Sequence, residues 1–280
     1  MSFTVLSERP HQALEALAIY RYLTAKQLVR IGIAASDTVA RDHVLKKLKA
    51  GRYPFIGTKD FGQWPGYGRL PHVHYLTPRG VKYLAEAQGV TEKTIKYPKG
   101  GVQFTRDLFH RLGTIDCHIA IRQWARKNGY DIDQADLYFD KNNAQRGNNK
   151  ICATRLNLGP RGIIEPDGIL ILKRGETIAP IIVEMHHGDN TARIAQQLNN
   201  HAYGIQLGAL SKKNGINVNP IILSVHKHEH IMRSVQKCLR DADGFDKFMK
   251  GFVFNKLEQV QSNFTQGWSY ANMKPASIFE

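Results

Sequence analysis

The chain has 280 residues, enough for two small domains or one large one, each with a buried core. Its 39 lysines and arginines outnumber its 24 aspartates and glutamates, so the formal net charge is +15. Such an excess favours a polyanionic partner, either nucleic acid or an acidic membrane surface. The three cysteines are far apart and predict neither a disulfide framework nor a zinc site. Because no segment has the length and hydropathy of a membrane span or a signal peptide, we expect a cytoplasmic protein without membrane insertion.

Residues 1–90 carry nearly half of the net charge and predict a winged helix. Two short helices come first, and Ser36 is the expected N-cap of a third, "DTVARDHVLKKLKAG". A hairpin rich in Gly and Pro follows, and Thr77 caps a further helix whose first residue is proline. Three helices, a hairpin and a helix are the order of a winged-helix DNA-binding domain, although that fold also serves as a protein docking module.

The charged residues of this predicted domain suggest how it would bind DNA. In a winged helix the third helix enters the major groove, and the hairpin, called the wing, approaches the phosphates. The predicted DNA-binding residues in these two elements are Thr38, Arg41, Lys46, Lys49, Lys59 and Arg69.

Two histidines, His72 and His74, alternate in the predicted wing. The pattern His-hydrophobic-His is the metal motif of one large class of DNA-nicking enzymes. No third histidine and no neighbouring tyrosine is clearly placed beside it, so we expect surface histidines next to DNA.

Residues 91–102 are polar and basic and predict a linker to a second domain, residues 103–280. A long helix begins that domain and places Asp116 within its apolar stripe, where an acid is costly unless it is paired. A strand and a polar basic segment follow. The segment is interpreted either as a clamp on a phosphate backbone or as a solvated loop, and its predicted DNA-binding residues are Arg146, Lys150 and Arg155.

The next two predicted strands, "IIEPDGILIL" and "PIIVEMHH", carry acids at unusual positions. Asp167 lies near the end of one strand and Glu184 near the end of its neighbour, so the two carboxylates should converge. Carboxylates gathered in this way hold hard divalent cations in enzymes that cleave phosphodiesters. A helix, a strand, a second helix and a final strand follow, which predicts an α/β (α+β) domain around a mixed sheet.

An Asp on one strand and Glu-x-Lys on the next, between two helices, resembles the restriction-endonuclease-like or PD-(D/E)xK nuclease superfamily. Here Pro166-Asp167 and Glu184-x-His186 supply the pattern, and histidine stands where lysine is usual. Together with the winged helix and "HVHYLTPRGVKYLAE", the chain resembles, over residues 10–260, the replication-relaxation family. That family includes the MOBC-class relaxases of mobilisable plasmids.

The resemblance implies a relaxase, an endonuclease that nicks one strand at a plasmid transfer origin, with Mg²⁺ or Mn²⁺ as cofactor. The expected partners are double-stranded and locally single-stranded plasmid DNA, with accessory mobilisation or coupling proteins. The implied metal ligands are Asp116, Glu165, Asp167 and Glu184. The implied catalytic residues are Asp167, Glu184, His186 or Lys173 as positive group or base, and Gln197 as a supporting polar residue. An imidazole acts as base or ligand near neutral pH, whereas an unshifted lysine is charged and only donates.

Alternatives remain open at the level of the sequence. A non-catalytic DNA-binding protein controlling plasmid replication or transcription would keep the nuclease fold as a scaffold. A restriction-type enzyme would cut both strands. The nucleophile is either water or a tyrosine such as Tyr138 or Tyr203. His226, His228 and His230 are either a metal cluster or, as we expect, a run of surface histidines.

Overall fold

A computed structural model describes residues 6–99, 101–102, 107–142, 151–277 and 279, with only the backbone of 141–142. It divides into two compact units, Met1–Leu108 and Phe109–Glu280. The division falls a few residues beyond the predicted linker, 91–102. Ile95 and Val102 in that segment are buried, and the Tyr75 hydroxyl approaches Gly101, so the segment packs onto the first unit.

The first unit contains short capped helices and a hairpin. Its elements are α1 (Glu8–Tyr20), α2 (Ala25–Ile31), α3 (Asp37–Val39), α4 (Lys46–Lys49), β1 (Ile56–Lys59), β2 (Gln63–Trp64), β3 (Gly68–Arg69), β4 (Val73–Leu76) and α5 (Pro78–Gln88). A π-helical turn, Ala40–Leu45, joins α3 and α4 into one continuous rod. The Ser36 hydroxyl accepts the Val39 N–H, and Thr77 accepts the Gly80 N–H, as the N-cap pattern predicts.

The hairpin has two parts. Strands β1 and β4 pair antiparallel, and β2 and β3 form a separate antiparallel pair between them. A backbone bridge between Leu23 and His74 ties this hairpin to the chain that precedes α2. Leu14 of α1, Leu48 of α4 and Leu84 of α5 are buried, and each of these helices packs against β1 or β4 of the hairpin.

The second unit is a mixed α/β structure. Its helices are α6 (Leu108–Lys127), α7 (Thr191–Gln206), α8 (Ala209–Asn214), α9 (Glu229–Arg240) and α10 (Leu257–Ser262). Its strands are β5 (Asp131–Leu137), β6 (Lys141–Asn142), β7 (Ile151–Cys152), β8 (Leu156–Asn157), β9 (Ile163–Ile164), β10 (Gly168–Arg174), β11 (Thr177–His186), β12 (Ile221–His226) and β13 (Phe252–Lys256). The main sheet has five strands in the order β13-β12-β11-β10-β5.

Pairing in this sheet changes direction at β11. The strands β5, β10 and β11 are antiparallel, whereas β11, β12 and β13 are parallel. The predicted α/β class with a mixed sheet is therefore confirmed. The stretch "IIEPDGILIL" is not one strand, however, because Glu165-Pro166-Asp167 separates β9 from β10. Proline has no N–H for a strand ladder, which accounts for the break.

Helices or chain segments cover both faces of the sheet. On one face, α7 and α9 bury Leu198 and Val235 against the strands. On the other, α6 and the C-terminal segment bury Ile121, Trp268 and Phe279. Among the described helices, none is both long and apolar enough to cross a bilayer.

We expect Gly80→Ala to destabilise the first unit, although alanine is normally the better helix former by about 1 kcal/mol. A Cβ at position 80 of α5 would overlap the Phe55 carbonyl oxygen, so the helix must move away from the hairpin. Overpacking of this kind costs about 1–3 kcal/mol. Denaturant unfolding of the full chain measures the change. Lys82→Ala, at an exposed position of α5, should leave the free energy of unfolding nearly unchanged, and equal effects of the two changes would contradict the prediction.

Candidate functional site

A cleft of about 350 Å³ lies where β10 begins and β11 ends. Asp167, His186, Arg193 and Gln197 are among its lining residues. The register that pairs Gly168 with Val183 brings the residue before β10 level with Glu184 on β11. The two acids that the sequence predicts to converge are therefore neighbours at one end of adjacent strands.

Asp167 is buried and both of its carboxylate oxygens are hydrogen-bonded. His110 Nε2, at the start of α6, lies 2.7 Å from Asp167 Oδ1. The Met185 backbone N–H donates to Asp167 Oδ2 at 2.7 Å. Asp167 thus connects α6, β10 and β11. The sequence reasoning missed His110, since no motif marks it and only the packing of α6 brings it to the sheet.

Glu184 is 1% exposed and is held by α7. Gln197 Nε2 donates to Oε2 at 2.5 Å, and His201 Nε2 lies 2.5 Å from Oε1. Gln197 and His201 are four residues apart, one turn of α7, so both reach the same carboxyl group. The predicted supporting role of Gln197 is consistent with this contact. His201 was missed, although its i+4 spacing from Gln197 is a signal that would have found it.

Burial raises the pKa of the Glu184 carboxyl well above its ordinary value, and the charge of Asp167 adds to the increase, while His110 opposes it. Burial also lowers the pKa of His201 to about 4, against a weaker opposing effect of Asp167. Both shifts favour the uncharged form of the side chain, and the contact between Glu184 Oε1 and His201 Nε2 joins the two groups. Glu184 is therefore a hydrogen-bonded core group in this structure.

His186 ends β11 and lines the cleft. It is 6% exposed, and its Nε2 has no hydrogen-bond partner among the described residues; the same holds for Nε2 of His187. Burial lowers the pKa of His186 well below its ordinary value, and the nearby His226 adds to the decrease. The residue is neutral at physiological pH, so it does not provide the positive charge expected of a lysine at this place.

Two other predicted site residues lie away from the cleft. Lys173 is near the far end of β10, where its Nζ lies 3.0 Å from Asp133 Oδ2, so the structure does not bring it to the cleft with the other predicted catalytic residues. Asp116 is buried in α6 as expected, but Gln261 of α10 donates to its Oδ2 at 2.6 Å, and it does not line the cleft. Glu165 is exposed and does line the cleft.

The site does not form a ready cradle for Mg²⁺ or Mn²⁺. Every carboxylate oxygen of Asp167 and Glu184 already has a protein hydrogen-bond partner. Within the described part of the chain, no three His, Cys, Asp or Glu side chains have a geometry that would hold a metal ion. Protein hydrogen bonds satisfy the oxygens of both buried acids in this arrangement.

One histidine in each of the two other histidine motifs, His72–His74 and His226–His230, is buried in the core. His74 is buried in the wing, with its Nδ1 2.8 Å from the Thr58 hydroxyl, and burial lowers its pKa to about 3. His74 is therefore not the surface histidine that the sequence predicts, whereas His72 is partly exposed and its Nε2 lies 3.0 Å from Asp60 Oδ2. His226 is also buried, at the end of β12, beside the Ser224 hydroxyl.

The remaining members of that run, His228 and His230, are exposed at the start of α9. Since His226 is in the core and the other two are at the surface, the three do not form a metal cluster.

The predicted DNA-contacting side chains are exposed wherever they are described. Those on the α3–α4 rod and the wing are Thr38, Arg41, Lys46, Lys49, Lys59 and Arg69. Arg69 lies 3.4 Å from Asp60, so part of its charge is paired within the wing. Arg155 is exposed in the second unit, whereas Arg146 and Lys150 lie outside the described residues.

The two candidate tyrosine nucleophiles differ in position. The Tyr138 ring packs edge-on against His110, with 5.4 Å between ring centroids, so it lies next to the Asp167 pair. Tyr203 lies near the end of α7 with the Arg161 guanidinium 4.0 Å above its ring, and it does not line the cleft. The geometry thus favours Tyr138 over Tyr203 as a residue near the site.

Comparison with known proteins gives no match: no family model, curated protein or solved structure is significantly similar to this chain.

We expect Glu184→Gln to change the pH dependence of stability. Because the folded-state pKa of Glu184 is raised above the unfolded value of 4.5, folding binds a proton. Its stabilising contribution is complete below that value and falls by about 1.4 kcal/mol per pH unit until the folded pKa is reached. Glutamine keeps both hydrogen bonds and cannot ionise, so the variant should lose less stability as pH rises.

Urea unfolding of wild type and variant between pH 5 and pH 8 measures the difference. Parallel pH profiles of the two proteins would show that Glu184 is ionised in the folded state.

Proposed function

We propose that the chain is a plasmid DNA relaxase, a site-specific endonuclease that nicks one strand at a transfer origin to initiate mobilisation. The observation that carries the proposal is the meeting of Asp167 and Glu184 at the ends of adjacent strands, beside a cleft. The proposed cofactor is Mg²⁺ or Mn²⁺. The proposed partners are double-stranded and locally single-stranded plasmid DNA, with accessory mobilisation or coupling proteins.

The order of elements in the second unit supports a nuclease-like domain. Helix α6 precedes the antiparallel β5, β10 and β11, and α7 then leads into β12, which is parallel to β11. Asp167 precedes β10, Glu184 is on β11, and Gln197 is on α7. This is the arrangement that the resemblance to PD-(D/E)xK nucleases implies.

The first unit supports DNA binding by a winged helix. Helices, a rod with exposed cations, a hairpin and α5 occur in the expected order. Arg41, Lys46 and Lys49 are exposed on the rod, while Ala40, Val44 and Leu48 are buried. A helix with one buried stripe and one cationic face suits the major groove, where lysine and arginine neutralise phosphates and contact bases.

In the proposed enzyme, the chain's own residues position and polarise the DNA. Asp167 orients His110 at the cleft, where an imidazole can accept or deliver a proton. His186, neutral and without a partner at Nε2, is able to donate a hydrogen bond to a phosphate oxygen or to accept one from water.

A second candidate function is a non-catalytic DNA-binding protein that controls plasmid replication or transcription. One specific observation favours it. The oxygens of Asp167 and Glu184 are occupied by His110, Met185, Gln197 and His201, as they would be in a scaffold. A cation at these acids would have to share or replace those contacts.

A nicking assay separates the two functions. Supercoiled DNA of the protein's own plasmid is incubated with Mg²⁺ or Mn²⁺ and with wild type, Asp167→Ala, Glu184→Ala or Glu184→Gln. We expect open circles from the wild type and a loss of at least about 100-fold in each variant, since each change removes a carboxylate that would hold the proposed cation, whose stabilisation of the reacting phosphate is of that size. Circular dichroism checks that the variants fold.

The matched control is Glu176→Ala, an exposed carboxylate in the turn at the opposite end of the β10–β11 hairpin, which should nick normally. Linear DNA as the first product would point to cutting of both strands. If the wild type and the variants bind the plasmid DNA tightly and sequence-specifically but none of them cleaves it, the enzyme proposal is contradicted and the DNA-binding proposal is favoured.

For the first unit, we expect Lys46→Ala combined with Lys49→Ala to weaken duplex binding and to reduce the slope of log affinity against log salt by about 2. Each lysine removed releases about one fewer counterion. Titration of duplex DNA at several salt concentrations measures the slope. An unchanged slope, or an equal change with Lys82→Ala on α5, would argue against the rod as the DNA-contacting helix.

A further inference from the structure

We propose that a single DNA strand lies in a groove along the exposed face of α7, with Arg193 holding one of its phosphates. The inference rests on the proposed function in one respect, the choice of DNA as the ligand, and otherwise on the second unit alone. The groove consists of two adjoining clefts.

The second cleft also measures about 350 Å³. It shares Glu165, Arg193 and Gln197 with the cleft at Asp167 and continues along α7 to Asn200. Because the two clefts share three lining residues, they form one continuous depression that passes Asp167 at one end. Each volume is at the lower end of the range for small-molecule sites, about 300–1,000 Å³, so the depression suits one strand better than a duplex.

The floor of this groove is a polar stripe on α7. Arg193, Gln196, Gln197 and Asn200 follow the spacing i, i+3, i+4 and i+7, which places them on one side of the helix. The other side buries Ile194, Leu198 and Ala202 in the core. Amide groups both donate and accept, so such a stripe can contact phosphates, sugars and base edges of an irregular strand.

Arg193 is the cation where the two clefts meet. Its side chain is exposed and makes no ion pair or hydrogen bond with any other residue of the chain, as far as the described part shows. Two exposed arginines on α9 are, by contrast, paired: Arg233 with Glu229, and Arg240 with Asp241. A guanidinium with all its donors available binds phosphate in a bidentate manner.

Two further features of the Asp167 cleft favour an anion there. The N-terminal end of α7, a helix of 16 residues, borders the cleft at Asn190, and its dipole favours negative charge. Independently, His186 and His187 are among the lining residues of that cleft, and the Nε2 atom of each is buried without a hydrogen-bond partner among the described residues. Buried polar atoms are nearly always hydrogen-bonded, so the unpartnered Nε2 of His186, which donates in one neutral tautomer, is open to an acceptor supplied by a ligand. A phosphate oxygen is an acceptor of the required kind.

The test measures the binding of a fluorescent oligothymidylate of about 12 nucleotides to the full chain by anisotropy, in EDTA. Compared with wild type, Arg193→Ala should weaken binding about tenfold, the size of one charge-assisted phosphate contact. Arg193→Lys should recover part of the loss, because it restores the charge without the bidentate geometry. The control is Arg233→Ala, an exposed arginine on α9, which should bind as wild type does.

A second variant, Gln196→Ala with Asn200→Ala, tests the far half of the groove and should weaken binding severalfold. These positions lie outside the core, so misfolding does not explain the loss. Duplex DNA of the same length serves as an internal reference, and its affinity should change little in either variant.

Equal oligothymidylate affinity of wild type, Arg193→Ala and the double variant would overturn the inference. Much tighter binding of oligouridylate would overturn the assignment of DNA. The assay contains no divalent cation and measures no cleavage, so its outcome is independent of the nicking assay. Arg193-dependent binding without nicking would support the groove and contradict the proposed nicking activity. Nicking without Arg193-dependent binding would support the activity and contradict the groove.

Discussion

The burial of the Glu184 carboxyl between β11 and α7 constrains the rest of the second unit. A carboxyl group removed from water is costly unless its oxygens are hydrogen-bonded. Gln197 and His201 contact both carboxyl oxygens from adjacent turns of α7. The two contacts together fix the rotation of α7 about its axis and its position along that axis relative to β11. That rotation turns Ile194 and Leu198 inward and Arg193 and Gln196 outward, and the outward residues line the groove.

Asp167 provides the second attachment at the same end of the sheet. Through His110 it fixes the start of α6, and through the Met185 N–H it fixes the end of β11. The cleft is therefore framed by elements on both faces of the sheet. The catalytic and the non-catalytic proposals use the same framework and differ in whether the acids also bind a cation.

Burial of the histidines decides which groups can carry positive charge in the cleft at Asp167. His186 and His201 are buried, and burial lowers the pKa of both imidazoles below the physiological range. They therefore act as neutral hydrogen-bonding groups. Positive charge for an anionic ligand comes instead from the exposed Arg193 and from the dipole of α7.

Local patterns in the sequence determined the element types and several side-chain positions. Ser36 and Thr77 cap the helices that they were expected to cap, and the order of elements predicted a mixed sheet with Asp167 and Glu184 on neighbouring strands. Tertiary structure alone decided the partners of those acids, His110 and His201, and placed Lys173 at the opposite end of β10. Periodicity and capping act over a few residues, and so are readable in the sequence. Contacts between residues distant in the chain depend on how helices pack on the sheet, which no local pattern specifies.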